Sequence, residues 1–284
     1  MNVLISVDSK FLVPLKVLLY SLFLSQKDKC YIYLLNVQLS EKEIADLERY
    51  CNSLRMDLIV HEIPGDIKGV IEKKKEALKD YSLSIETYAR LFAPVLFPNI
   101  SRILWLAADC ILKEDISPFY NQNLGDFAIS ACDHCNWILP QVPGYSYYDY
   151  PIRKKDPEHF NAGVILFNLD NCRKIRGFQK ENMKYIIQTS TESSFPFFDQ
   201  SILNYLCPPS RVKWENPLIY NCFTNKYWAS GFKDDPIQYT VMEKSSILHF
   251  CSPVKPWELL KDCDPRIRKY WLDLYMDANK NGLL

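Results

Sequence analysis

Four short stretches of this sequence carry residue types that could do chemistry together. The first is the apolar run Arg102–Leu112, which Asp109 interrupts. In an open α/β sheet ligands bind at the C-terminal ends of the strands, and a carboxylate there is placed to hold a divalent cation against a diphosphate. The same residue could be a helix N-cap or turn aspartate before Ile111. The second stretch is His159–Asn168, where Asn161, Ala162 and Gly163 open a strand. Small residues at that point let backbone approach a ligand, and the Asn161 amide could bond sugar hydroxyls; a strand start with a bulge has the same composition. The third is Asp199-Gln200 at the head of the helical run Ser201–Leu206, where Asp199 could be an N-cap and nothing more. The fourth runs from His249 to Trp257. It offers an imidazole that could bind metal and, six residues on, Lys255 that could meet phosphate; a satisfied, half-buried histidine is the plainer reading of His249.

These residues need elements to position them. Val3–Val7, Tyr31–Leu35, Leu58–Ile63 and Ile103–Ala107 are short apolar runs that predict buried strands. Between them Leu12–Leu24, the segment opened by Ser40 and Ser84–Leu96 (ending near Pro98) predict helices, and Lys68–Lys79 is charged and amphipathic. Ser40 and Glu43 are spaced as a capping box, with Ile44, Leu47 and Cys51 on one face of the helix that follows. This alternation predicts a mainly parallel sheet covered on both faces. Further on, Asp126–Ala131, Val164–Asn168 and Ser246–Leu248 predict strands. The segment Trp137–Glu158, rich in Pro, Tyr and charge, predicts a lid or acceptor-shaping loop. No linker or repeat divides the chain. One domain over residues 1–257 is expected, with a helical tail over 258–284.

Composition removes several classes. Thirty-four basic and 34 acidic residues leave no net charge, so the basic excess of a nucleic-acid binder is missing. Neither G-x-G-x-x-G nor a P-loop occurs, and the chain holds only eight glycines, so a bound diphosphate would need a metal or basic side chains. Ten scattered cysteines, mostly in apolar runs, predict buried free thiols; Cys132 and Cys135 lack the second pair a zinc site wants. No signal peptide and no apolar run of about 20 residues is visible, which predicts a cytoplasmic protein.

In order, Val7-Asp8, Thr87-Tyr88-Ala89-Arg90, Leu106–Asp109, Phe160–Gly163, Asp199-Gln200 with Leu203-Asn204, and His249 with Lys255-Pro256-Trp257 resemble glycosyltransferase family 8 from Val3 to about Trp257. The bacterial lipooligosaccharide galactosyltransferase-like members are the nearest in look. The resemblance implies a single-domain α/β fold of the GT-A type and retaining transfer of galactose or glucose from a UDP-sugar to an oligosaccharide, glycoprotein or glycolipid hydroxyl. It implies donor contacts from Val7, Asp8, Phe11, Arg90, Ala107, Ala108, Asp133, Asn161, Ala162, Gly163, Asp199, Gln200, Ser252 and Lys255. Asp109 and His249 fall on metal ligands for Mn²⁺ or Mg²⁺. Gln200, Asp199 and Asn161 fall on the positions about the reacting sugar.

One departure falls on the metal motif. Where the family carries D-x-D, this chain reads Ala107-Ala108-Asp109. Losing one carboxylate weakens the hold on a hard cation. The expectation is a transferase impaired at this position, naturally or by engineering; an inactive nucleotide- or glycan-binding pseudoenzyme is the alternative. The tail Pro265–Met276 is amphipathic, with Ile267, Trp271 and Leu274 on one face. Such a helix either packs on the core or docks on the inner face of a membrane.

Overall fold

A computed structural model describes residues 1–77, 85–133, 159–191, 194–195, 197–224, 236–251, 254–258 and 263–284. The strands are β1 (Asn2–Ile5), β2 (Tyr31–Asn36), β3 (Asp57–Glu62), β4 (Arg102–Leu106), β5 (Cys110–Leu112), β6 (Ile129–Asp133), β7 (Phe160–Asn168), β8 (Val212–Glu215), β9 (Cys222–Phe223) and β10 (Ile247–His249). Seven form one sheet in the order β3-β2-β1-β4-β7-β6-β8, and β5-β10-β9 form a small second sheet. In the large sheet only β7 runs against its neighbours β4 and β6. The other pairings are parallel.

The continuous apolar runs follow from burial of both sheet faces. Along β4, Ile103 and Trp105 enter one core cluster while Leu104 and Leu106 enter another. Along β7, Ile165 and Phe167 alternate with Val164 and Leu166 in the same way. The first cluster lies under helix Lys180–Thr189 and the segment Ile85–Leu96, and the second under helices Leu12–Ser25 and Glu41–Ser53. The capping box that opens Glu41–Ser53 is present, with the Ser40 hydroxyl accepting from the Glu43 amide and the Glu43 carboxylate accepting from the Ser40 amide.

Three elements differ from expectation. The helix expected over Ser84–Leu96 is a 3-10 run, Ile85–Phe92, followed by a short α-helix, Ala93–Leu96. Pro94 has no N–H to give back to the turn before it, so one continuous α-helix cannot pass through. The strand expected at Asp126 begins at Ile129, because Gly125, in the left-handed region at φ 49°, turns the chain first. The strand expected from Val164 begins at Phe160, so Asn161, Ala162 and Gly163 lie within it. The irregularity expected beside them is present in β7 itself: between the pairs Ala131–Ile165 and Asp133–Phe160, β6 advances two residues and β7 five.

A third cluster joins the small sheet to helix Pro265–Lys280 through Ile111, Leu248, Ile267 and Trp271. The other end of that helix is held by the Tyr20 hydroxyl, which donates to Asp277 over 2.6 Å. No helix among the described residues is long and apolar enough to cross a membrane. The nine cysteines among them are free thiols, seven of them buried; Cys135 lies outside the described residues, as do the loop Trp137–Glu158 and Ser252.

Candidate active site

Strand β7 runs against β4, so its beginning meets the C-terminal end of β4. Leu106 pairs with Val164, and the Ala107 amide donates to the Gly163 carbonyl over 2.8 Å. Beyond Ala107 and Ala108 the chain turns into β5, which pairs with β10 so that Cys110 faces His249. The Phe250 amide donates to the Asp109 carbonyl, also over 2.8 Å. Two sheets thus bring Asn161–Gly163, Asp109 and His249 to one place.

The Asp109 carboxylate takes two partners. Lys255 Nζ donates to one oxygen at 2.7 Å, and His249 Nε2 lies 3.2 Å from the other. Burial alone would raise this carboxyl; the Lys255 ammonium and the His249 ring outweigh it and hold it below the usual carboxylate range. Lys255 also donates to the Phe250 carbonyl over 2.6 Å.

His249 is oriented by a chain of amides. The backbone N–H of Ala162 donates to Gln200 Oε1 at 2.9 Å, and that of Gly163 donates to Asn161 Oδ1 at 2.8 Å. Backbone donors are unambiguous, so they set which end of each side-chain amide is oxygen. Asn161 then donates to Gln200 over 3.2 Å, Asn221 donates to Asn161 over 3.0 Å, and the Asn221 oxygen faces His249 Nδ1 at 2.8 Å. Nδ1 therefore carries a proton, and Nε2 is the atom turned to Asp109. Gly163 is needed beside this ring, because a Cβ there would run into the imidazole.

Asp199 is not an N-cap. It lies in the first turn of helix Phe198–Leu206 and forms a buried ion pair with Arg90. Thr87 also donates to Asp199, at 3.2 Å. In a 3-10 helix residues three apart eclipse, so the run Ile85–Phe92 presents Thr87 and Arg90 to the same carboxylate. The Arg90 guanidinium lies 4.6 Å from the Trp105 ring centre and donates to the Ala162 carbonyl. Asn204 ties the same helix to β7 by accepting from the Phe160 amide (2.8 Å) and donating to its carbonyl (3.0 Å).

The remaining expected residues surround this centre. Asp8 follows β1 and caps the turn Ser9–Phe11, accepting from the amides of Lys10 and Phe11. Phe11 lies edge-on to Trp257, with ring centres 5.8 Å apart. Val7 is buried in the second cluster, and Ala107 and Ala108 pack against it. Asp133 is buried at the end of β6, opposite Phe160. Asn221 went unread in the sequence, since no spacing marks it; its role is visible only once β9 is laid beside β10.

Asp109, Cys110 and His249 form a group whose donor atoms lie within 4.8 Å of one another and could hold a metal ion. The set suits a hard cation poorly. It offers one carboxylate, beside one imidazole. Cys110 adds a soft thiol, a donor that a hard, oxygen-seeking cation does not favour. Position 107 presents a methyl group where an oxygen ligand would be wanted.

A mixed, mainly parallel sheet with polar groups gathered at its C-terminal edge is the plan of a nucleotide-sugar transferase fold. The family model described as Glycosyl transferase family 8 matches residues 2–260, and the chain belongs to that family. A putative glycosyltransferase of Haemophilus influenzae is 21% identical over 90% of this chain and 73% of its own length. Glycosyltransferase GlyE of Streptococcus pneumoniae is 26% identical over 84% of this chain and 52% of its own. The probable galacturonosyltransferase 13 of Arabidopsis thaliana is 26% identical over 66% of this chain, which spans only 36% of that protein. Among solved structures, galactosyltransferase LgtC in complex with donor and acceptor sugar analogues superposes with a TM-score of 0.71 at 22% identity, each chain fully covered. That likeness shows the GT-A fold.

Proposed function

We propose that the chain is a retaining hexosyltransferase that moves galactose or glucose from a UDP-sugar to a hydroxyl of an oligosaccharide, glycoprotein or glycolipid. The observation that carries the reading is the meeting of Asp109, Lys255 and His249 with the Asn161, Gln200 and Asp199 network at one sheet edge. Transfer breaks the bond between the anomeric carbon and the diphosphate oxygen, and negative charge grows on that oxygen. Lys255 would stabilise it. Asn161, Asp133 and Asp199 would fix the sugar by its hydroxyls, Asp8 and Phe11 would receive the base, and Gln200 would sit beside the anomeric carbon. Gln200 is a weak nucleophile, so retention would come from acceptor attack on the face the diphosphate leaves. Mn²⁺ or Mg²⁺, where bound, would rest on Asp109 and His249 with one carboxylate in place of two. The reaction suits the cytoplasm, where UDP-sugars are made. Membrane contact is proposed only for the outward face of helix Pro265–Lys280, where Lys269 and Met276 are exposed.

A second reading, a pseudoenzyme that binds nucleotide or glycan without turnover, is favoured by Ala107 in place of the first metal-motif acid. Titration calorimetry with UDP, followed by hydrolysis assays on UDP-galactose and UDP-glucose, separates the two. Binding with slow hexose release is expected. Binding without release, persisting in Ala107→Asp, would support the pseudoenzyme, and absence of UDP binding would sink both.

A further inference from the structure

Beside Asp109 the chain places a cation of its own, Lys255. Lys255 Nζ is 2.7 Å from Asp109 Oδ2 and 2.6 Å from the Phe250 carbonyl. Both are acceptors fixed by the second sheet, since Phe250 is bonded back to the Asp109 backbone. Two of the three ammonium donors are spent on holding the group still, which leaves one for a ligand oxygen. The remaining Asp109 oxygen faces His249 Nε2. Ala107 and Ala108 belong to the packing around the second core cluster, so the missing carboxylate leaves an apolar wall.

Charge arithmetic supports the same conclusion. Compared with a site of two carboxylates around a divalent cation, this one lacks one negative and two positive charges. The difference is a single charge. Without metal, two carboxylates here would repel a diphosphate; with Ala107, one carboxylate is left and Lys255 neutralises it. Without metal, a site with one carboxylate neutralised by Lys255 thus opposes an anion less than a site with two.

We infer that this chain binds the nucleoside diphosphate of its donor without a divalent metal, with Lys255, anchored on Asp109 and the Phe250 carbonyl, as the resident cation. The inference rests on the nucleotide-sugar reading above. Restoring the acid at position 107 then creates a metal requirement, and removing Lys255 removes the anion site.

The test is titration of UDP into the full chain in excess EDTA and again in Mn²⁺. Affinities in the two buffers are expected to agree within about threefold. This arm needs no variant. Lys255→Met is expected to lose about tenfold or more in EDTA. Ala107→Asp is expected to bind UDP more weakly than the parent in EDTA and to regain affinity with Mn²⁺. Paramagnetic resonance of Mn²⁺ with nucleotide-free protein gives a readout independent of turnover: the ion stays free with the parent chain and is bound by Ala107→Asp. A rise of about tenfold or more in the parent's UDP affinity on adding Mn²⁺ would overturn the inference while leaving the transferase reading standing. Absence of UDP binding in every arm would overturn both.

Discussion

Side-chain identity at the site matters through its partners. The amide chain from Gln200 to His249 predicts that Nδ1 of this imidazole is the nitrogen that donates to the Asn221 oxygen. Long-range proton–nitrogen correlation spectra of ring-labelled protein should show it, and Asn221→Leu should scramble the two nitrogens; a lone-pair signature at Nδ1 in the parent would contradict the network. The Arg90–Asp199 pair carries a different prediction. Both groups are buried, so Asp199→Ala strands a guanidinium and should cost about 3–5 kcal/mol in urea unfolding. The double change Arg90→Met, Asp199→Leu should recover most of that loss, because an apolar pair needs no counter-ion. Equal losses in the single and double variants would mean that packing, not charge, is what the site requires.

Elements are where local rules and tertiary demands meet. Helix Glu41–Ser53 obeys the local rule: Ser40 and Glu43 close its first turn. Bonds from the hydroxyls of Ser40 and Ser9 and from the Ser40 amide hold the Glu43 carboxyl down to about 2, from an ordinary 4.5. A carboxyl lowered on folding contributes stability above its unfolded value and loses it as pH falls toward the folded one. The stability gap between the parent and Glu43→Gln should therefore be full above pH 4.5 and shrink as pH falls toward 2, a range urea unfolding can follow. A gap independent of pH would show that the carboxylate charge contributes nothing. The run Ile85–Phe92 obeys a tertiary demand instead, since its 3-10 winding sets Thr87 and Arg90 on Asp199. The spacing was legible as a helix, but the tighter winding was not, because it depends on a carboxylate 109 residues away.

At the scale of the molecule, the C-terminal helix is tied to the site's rim. Trp271 stacks on Tyr275 and lies 5.5 Å from Trp257, which in turn meets Phe11. Trp271 is buried, and Trp271→Ala should cost about 3–5 kcal/mol while unfolding stays a single transition. A separate early melting of the helix, with the main transition unmoved, would show that residues 263–284 are an appendage. The same contacts bear on the tail's amphipathic pattern. Its apolar residues Ile267 and Trp271 are occupied by the small sheet, a use that hydrophobic spacing alone cannot tell from lipid contact.

By itself the sequence determined the strand and helix alternation, the two-faced burial of β4 and β7, and the short list of polar residues at strand ends. These are local consequences of apolar run length, capping and motif order. Tertiary structure decided which of those residues meet. Antiparallel β7 sets Gly163 beside Ala107, the pairing of β5 with β10 sets Cys110 opposite His249, and the return of the chain after β10 sets Lys255 on Asp109. Each depends on register between segments far apart in the chain, and residue type and spacing do not encode register. For that reason the loss of the acid at 107 and a phosphate-meeting role for Lys255 were legible from the sequence, and the seating of that lysine on Asp109 was not.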